Sequence, residues 1–131
     1  MNYSKCRNVM KNNVILVVDD ELEIRTLLAR FLARKGFEVF SAGTLSEGRR
    51  LVGERSPNFI FLDVNLPDGN GLKELKKWSH DFDSLKVIMM SAFDHQEARD
   101  EALSSGAIHF LSKPFNLARL EHIIKKDISK N

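Results

Sequence analysis

The sequence feature that most constrains the fold is a series of short, unbroken apolar runs. Aliphatic residues fill positions 14–18 (VILVV), and comparable runs recur at 59–62, 87–90 and 108–111. Strands that are buried on both faces have this pattern. A weaker run at 38–42 (EVFSA) predicts a strand nearer the edge of the sheet.

Apolar residues at helical spacing follow each run, which predicts a helix after every strand. The first helix is predicted to end at Gly36, because glycine readily adopts the left-handed conformation that closes a helix. Thr44 and Asn116 are predicted to cap the second and the last helix. Residues 94–105 are also compatible with a helix, although its apolar face is thin.

This strand–helix order, repeated five times, predicts a parallel sheet with helices on both faces and right-handed crossovers. The 131 residues fit one domain, and 43% of them are hydrophobic, which is enough for a core. We predict a single domain over residues 13–129, preceded by a flexible extension over residues 1–12.

Composition favours a cytoplasmic protein without a membrane segment. The one cysteine, Cys6, cannot form an internal disulfide. No apolar run approaches the roughly 20 residues of a membrane span, and the first dozen residues lack the apolar block of a signal peptide. The net charge is only +2, and its basic excess at the two ends lacks interleaved aromatics, so we expect no direct nucleic-acid binding by this domain.

Polar residues stand directly after the strand-like runs. In open parallel sheets the working site lies beyond the carboxyl ends of the strands, so these residues should meet there. They comprise three carboxylates, a hydroxyl and an amine: Asp19, Asp20, Asp63, Ser91 and Lys113. The first run leads into DDELEI rather than a glycine-rich turn, which argues against a dinucleotide or P-loop site.

Three clustered carboxylates require a proton or a cation. Two unit charges about 4 Å apart repel by roughly 4 kcal/mol at an effective dielectric near 20. Mg²⁺ meets this need, and a carboxylate such as Asp63 can attack a phosphoryl group to form an acyl phosphate. Each residue alone has a plainer reading, as a helix-start acid, a surface lysine or a turn serine. Their coincidence at one sheet edge favours a site.

Four segments resemble the motifs of response-regulator receiver domains: VVDDE, FLDVNLPDGNGL, MMSA and FLSKPF. They occur in the family's order between about Val14 and Ile128, and MSAF and LSKPF are similar to receivers of the nitrogen-regulation transcription-activator type. The resemblance implies a flavodoxin-like (βα)5 doubly wound parallel sheet with strand order 2-1-3-4-5.

The resemblance also implies a role for each site residue. Asp63 would be phosphorylated. Asp20, Asp63 and the backbone carbonyl of Asn65 would bind Mg²⁺ directly, and Asp19 would do so through water. Lys113 would contact the acyl phosphate, with a cis peptide bond to the proline that follows it.

In the family a hydroxyl and an aromatic residue form the switch, here Ser91 and Phe110. Phe110 lacks the tyrosine hydroxyl often found at this position. The output surface would comprise the 94–105 helix, the last strand and the last helix. Asn65 and Phe93 occupy the positions that tune hydrolysis, and we hypothesise that Phe93 shields the phosphoryl group.

The implied partners are a histidine kinase or phosphotransfer protein and an unidentified output partner or domain, with a possible homodimer through the output surface. The domain would be a phosphoacceptor, not an enzyme. A phosphatase with an aspartyl-phosphate intermediate is an alternative, but such enzymes usually have an acid where Asn65 stands and a cap domain for substrate. A constitutive interaction domain is a second alternative, although those usually lack a site residue.

Overall fold

The computed structural model describes residues 14–93 and 95–128, so the predicted extension over residues 1–12 lies outside the described residues. Its main strands are β1 Val14–Val18, β2 Glu38–Ala42, β3 Phe59–Asp63, β4 Lys86–Ser91 and β5 Ala107–Ser112. Its helices are α1 Leu22–Arg34, α2 Leu45–Arg55, α3 Gly71–Asp81, α4 Gln96–Ser104 and α5 Leu117–Ile123, which continues as a π-helical turn, Ile124–Ile128.

The five strands form one parallel sheet in the order β2-β1-β3-β4-β5. This confirms the flavodoxin-like (βα)5 architecture and the predicted strand order 2-1-3-4-5. The weakly apolar strand β2 lies at an edge, as its composition predicts, whereas the unbroken apolar run of β1 lies between two neighbours. Because the strands are parallel, the polar residues at the carboxyl ends of β1, β3, β4 and β5 lie at one edge of the sheet.

Alternate residues of each strand point to opposite faces of the sheet and build two separate cores. In β1, Leu16 and Val18 pack in the core covered by α2, α3 and α4. Ile15 and Val17 pack in the core covered by α1 and α5. Every side chain from Ile15 to Val18 is 0–1% exposed, which explains why the run contains no polar residue.

The predicted helix ends are confirmed. Thr44 caps α2 by accepting a hydrogen bond from the Glu47 N–H, and Asn116 caps α5 in the same way. Gly36, after the end of α1, has a φ of 98°. Helix α4 begins at Gln96.

Helix α4 has the thin apolar face that its sequence predicts. Ala102 is the buried residue of this nine-residue helix, whereas α2 buries four residues. Within the part of the chain that the structure describes, no helix is long and apolar enough to cross a bilayer.

Candidate functional site

Three aspartates lie together at the carboxyl edge of the sheet. Asp63 is the last residue of β3, and Asp19 and Asp20 follow β1. One carboxylate oxygen from each lies within 4.8 Å of the others. Asp19 is 0% and Asp63 5% exposed, whereas Asp20 is open to solvent. The structure therefore brings the predicted acidic residues together with one ligand on the accessible side.

Lys113 enters this cluster from the end of β5. Its Nζ lies 2.7 Å from Asp19 Oδ2 and 3.2 Å from Asp63 Oδ2. The backbone N–H of Lys113 donates to the carbonyl of Ser91 at 2.9 Å, which fixes the lysine beside the end of β4. A third carboxylate, Glu21 Oε1, lies 3.0 Å from Nζ. The lysine side chain is 10% exposed and directed inward, unlike an ordinary surface lysine.

The cluster carries more negative than positive charge, and its pKa values reflect this. Burial, followed by the charge of Asp19, raises the pKa of Asp63 from 3.8 to about 6, although Lys113 opposes the rise. Burial lowers the pKa of Lys113, but the surrounding carboxylates outweigh that effect and hold it above its ordinary value. Lys113 thus remains an ammonium, and its single positive charge does not balance the negative charge of the surrounding carboxylates.

The donor set fits a hard divalent cation. All three aspartates offer oxygen ligands, which Mg²⁺ prefers, and one of them faces solvent, from which ordered waters can complete the shell. Asp19 Oδ2 is buried without a hydrogen bond of regular geometry, and the Lys113 ammonium is its close neighbour. Asn65 lies next to the cluster, where its backbone N–H reaches Asp63 Oδ1 at 3.4 Å.

Ser91 ends β4 and is 2% exposed. Its Oγ accepts a hydrogen bond from the Phe93 N–H at 2.9 Å and donates to the Phe93 carbonyl at 3.2 Å. The Phe93 ring is 65% exposed. Phe110 is 3% exposed and pairs with Met89 in the sheet, while Ser91 pairs with Ser112. Because side chains alternate, Ser91 and Phe110 lie on the same face.

The loop after Asp63 contains regular structure of its own. Residues Asn65–Leu66 and Gly69–Asn70 form a small antiparallel hairpin. A Cβ on Gly71 would lie 2.0 Å from the Asp63 carbonyl oxygen, so only glycine fits there. The Lys113–Pro114 bond is cis, as the resemblance implies.

Two acids of this region were not predicted. Asp68, at the tip of the hairpin, accepts hydrogen bonds from the backbone N–H groups of Leu45 and Ser46 at 2.8 and 3.0 Å. Glu21 reaches Lys113. A glutamate at a helix start, where shorter capping side chains are preferred, was the available signal for Glu21. Asp68 carries no comparable signal, because the partner is 23 residues away.

The sequence matches the family model described as response regulator receiver domain over residues 15–125. It is 38% identical over 110 residues to the KDP operon transcriptional regulatory protein KdpE of Escherichia coli (strain K12), covering 82% of this chain and 47% of KdpE. It is 35% identical over 122 residues to the DNA-binding transcriptional regulator NtrC of Azospirillum brasilense, covering 93% of this chain and 25% of NtrC. The chain thus spans less than half of these two relatives.

Solved structures share the fold. The beryllofluoride-activated NtrC4 receiver domain dimer has a TM-score of 0.83 and 31% identity, covering 88% of this chain and 96% of that one. A Burkholderia pseudomallei response regulator, solved with a phosphorylated aspartic acid and a calcium ion, has a TM-score of 0.78 and 25% identity. The match covers 89% of this chain and 69% of the Burkholderia chain. With the four motifs and the clustered carboxylates, these matches show that the chain belongs to the response regulator receiver domain family.

Proposed function

We propose that Asp63 accepts a phosphoryl group in a Mg²⁺-dependent reaction and thereby switches this receiver domain, which extends over residues 13–129. One observation carries the proposal. Asp63 is a buried carboxylate held 3.2 Å from an inward-directed ammonium, with two further aspartates in reach of the same point. A single ion pair would be enough for a carboxylate that only stabilises the fold. Here the Asp63 carboxylate is surrounded by one ammonium and two further carboxylates.

Asp20, Asp63 and the backbone carbonyl of Asn65 would hold Mg²⁺ directly, and Asp19 would do so through water. The bound ion supplies positive charge to the oxygens of the transferring phosphoryl group. The oxygen-only donor set and the accessible position of Asp20 support this assignment. The calcium ion of the Burkholderia structure supports a divalent cation in a related protein.

The residues of this chain then have separate tasks. An ionised Asp63 oxygen attacks phosphorus, and the bond from phosphorus to the donor nitrogen of a phosphohistidine breaks. Lys113 offsets the negative charge that develops on the phosphoryl oxygens. The raised pKa of Asp63 means that part of this carboxyl is protonated near neutral pH in the metal-free protein. Mg²⁺ held by Asp20 and Asp63 would therefore also favour the ionised, reactive form of Asp63.

Phosphorylation of Asp63 would change the conformation of Ser91 and Phe110, which lie on the same face of neighbouring strands. Ser91 gives up its hydrogen bonds to the Phe93 backbone and turns toward the phosphoryl group, and the Phe110 ring fills the space that is vacated. The surface of α4, β5 and α5 would then engage an output partner, an output domain or a second copy of the chain. The donor would be a cytoplasmic histidine kinase or phosphotransfer protein, and the domain itself would act as phosphoacceptor rather than enzyme.

Incubation with acetyl phosphate and Mg²⁺, followed by intact-mass measurement, tests the proposal. The protein should gain the mass of one phosphoryl group, and EDTA should prevent the gain. Asp63→Asn should abolish it, whereas Asp83→Asn, at an exposed aspartate before β4, should retain it. A gain of the same size in Asp63→Asn would assign the phosphoryl group to another residue and refute the proposal.

A further inference from the structure

We propose that Glu21 is a positioning residue that holds the Lys113 ammonium in the unphosphorylated state and must release it before phosphoryl transfer. The inference rests on the proposed phosphorylation of Asp63. Glu21 is not one of the five residues that define the site, which are Asp19, Asp20, Asp63, Ser91 and Lys113. Glu21 would set how readily the domain accepts a phosphoryl group, by competing with that group for Lys113.

The first observation concerns the start of α1. Thr44, Asn70, His95 and Asn116, the N-cap residues of the other four helices, all accept backbone hydrogen bonds with their side chains. Glu21, the N-cap residue of α1, makes no such bond. Its carboxylate is instead directed to Lys113 Nζ, 3.0 Å away. Helix α1 thus lacks the side-chain cap that the other four helices have, and the side chain at that position contacts Lys113 instead.

The second observation is the number of acceptors around the ammonium. A lysine has three N–H donors. Lys113 Nζ donates to Glu21 at 3.0 Å and to Asp63 at 3.2 Å, and Asp19 Oδ2 lies 2.7 Å away as a close ionic neighbour. A phosphoryl group on Asp63 brings additional acceptor oxygens, so one of the present contacts must be given up.

Burial decides which contact is lost. The side chains of Asp19 and Asp63 are 0% and 7% exposed, so an unpaired charge on either would be costly. The Glu21 side chain is 58% exposed, and water replaces the ammonium at little cost. Release of Glu21 is therefore the exchange that frees Lys113.

The competition between Glu21 and the phosphoryl group for Lys113 raises the activation barrier of phosphoryl transfer. It does so because Glu21 stabilises the resting state more than the transition state. With acetyl phosphate as donor, an Asp63 oxygen forms a bond to phosphorus, and the bond from phosphorus to the acetate oxygen breaks. Acetate leaves with that electron pair, and Lys113 keeps its proton throughout. Lys113 offsets the charge on the phosphoryl oxygens fully only after its contact with Glu21 is broken.

Three variants of the full chain test the inference by the rate of phosphorylation with acetyl phosphate and Mg²⁺. Glu21→Gln should raise kcat/KM about twofold to fivefold, which corresponds to the strength of an ion pair with one exposed partner. Glu21→Asp keeps the charge, but we expect its shorter side chain to cap α1 and to fall short of Lys113. It should show the same rise together with a higher Tm. Glu23→Gln, at an exposed acid in the first turn of α1, should match wild type.

A measurement without turnover separates this inference from the proposed function. A double-mutant cycle of Glu21→Gln and Lys113→Met in metal-free protein should give a coupling of about twofold to fivefold in the unfolding equilibrium constant. No coupling, or unchanged rates in Glu21→Gln and Glu21→Asp, would overturn the role of Glu21 while phosphorylation of Asp63 stands. Failure of the wild type to take up a phosphoryl group would instead refute the proposed function.

Discussion

The guanidinium of Arg99 lies over the ring of Phe110, with 5.3 Å between its central carbon and the ring centroid. Arg99 belongs to α4, and Phe110 is a buried residue of β5. Since α4 buries little apolar surface of its own, this contact is one of the links between the helix and the sheet. It joins the aromatic residue of the proposed switch to the helix that would carry the signal.

Phe110→Leu should loosen α4 selectively. Leucine keeps an apolar side chain in the core but removes the aromatic face, so we expect a loss of about 1–2 kcal/mol in the free energy of unfolding. Amide hydrogens of α4 should exchange faster than in wild type. Phe61→Leu, at a fully buried phenylalanine of β3, is the control. In this variant the amide hydrogens of α4 should exchange no faster than the loss of global stability accounts for. Equal α4 protection in the two variants would contradict this link.

Asp63→Asn should stabilise the metal-free protein in a pH-dependent manner. Burial and the charge of Asp19 raise the pKa of Asp63 from 3.8 to about 6, so its ionised form is disfavoured in the folded state. That penalty is fully present above pH 6, and it disappears as the pH falls toward 3.8, the ordinary pKa. At pH 8 the variant should be more stable by at most about 3 kcal/mol.

Urea unfolding in EDTA between pH 4 and pH 8 measures this effect. The stability difference between Asp63→Asn and wild type should narrow as the solution is acidified. Added Mg²⁺ should stabilise wild type more than the variant, because asparagine lacks the negative charge of the proposed carboxylate ligand. Asp83→Asn serves as the exposed control and should follow wild type at every pH. A difference that widens on acidification would show that the carboxyl is favoured in its ionised form.

Gly71→Ala should damage the site from the start of α3. The added Cβ would lie 2.0 Å from the Asp63 carbonyl oxygen, so the backbone of Asp63 itself must move. We expect a loss of several kcal/mol in the free energy of unfolding and weaker Mg²⁺ binding by calorimetry. Gly53→Ala in α2, where nothing lies within 4 Å of the new Cβ, should instead stabilise by about 0.5–1 kcal/mol. Similar effects in both variants would exclude the steric explanation.

Phe93→Glu should shorten the lifetime of the acyl phosphate. The Phe93 ring is 65% exposed, and its backbone N–H is bonded to Ser91, so the side chain stands at the accessible side of the site. An apolar ring there would hinder the approach of water to the phosphoryl group, whereas a carboxylate would orient it. Loss of the phosphoryl mass after removal of the donor should be several-fold faster in Phe93→Glu and unchanged in Phe93→Leu. Equal rates in all three proteins would exclude shielding by Phe93.

The sheet and the convergence of Asp19, Asp63 and Lys113 could be predicted because they depend on periodic patterns. Unbroken apolar runs identify doubly covered strands, and parallel strands necessarily bring their carboxyl ends to one edge. Thr44 and Asn116 were predictable as caps because a cap binds backbone groups two or three residues away. In these cases the information is local, or it is repeated along the chain.

The contacts of Glu21 and Asp68 depend on distant partners and could not be predicted in this way. Glu21 meets a lysine 92 residues further along the chain, and Asp68 meets the start of α2, 23 residues earlier. No periodicity specifies such pairs. The π-helical turn after α5 also escaped prediction, because its apolar residues continue the pattern of an ordinary α-helix.

The hairpin formed by Asn65–Leu66 and Gly69–Asn70 is held more tightly on the side of α2 than on the side of α4. Asp68 binds two backbone amides of α2, and Gly69 packs so closely that a Cβ would lie 2.8 Å from Leu45. On the other side stands α4, with one buried alanine. The α2 flank is thus stiff and the α4 flank compliant. If phosphorylation of Asp63 strains this hairpin, we expect the movement to be directed toward α4 rather than toward α2.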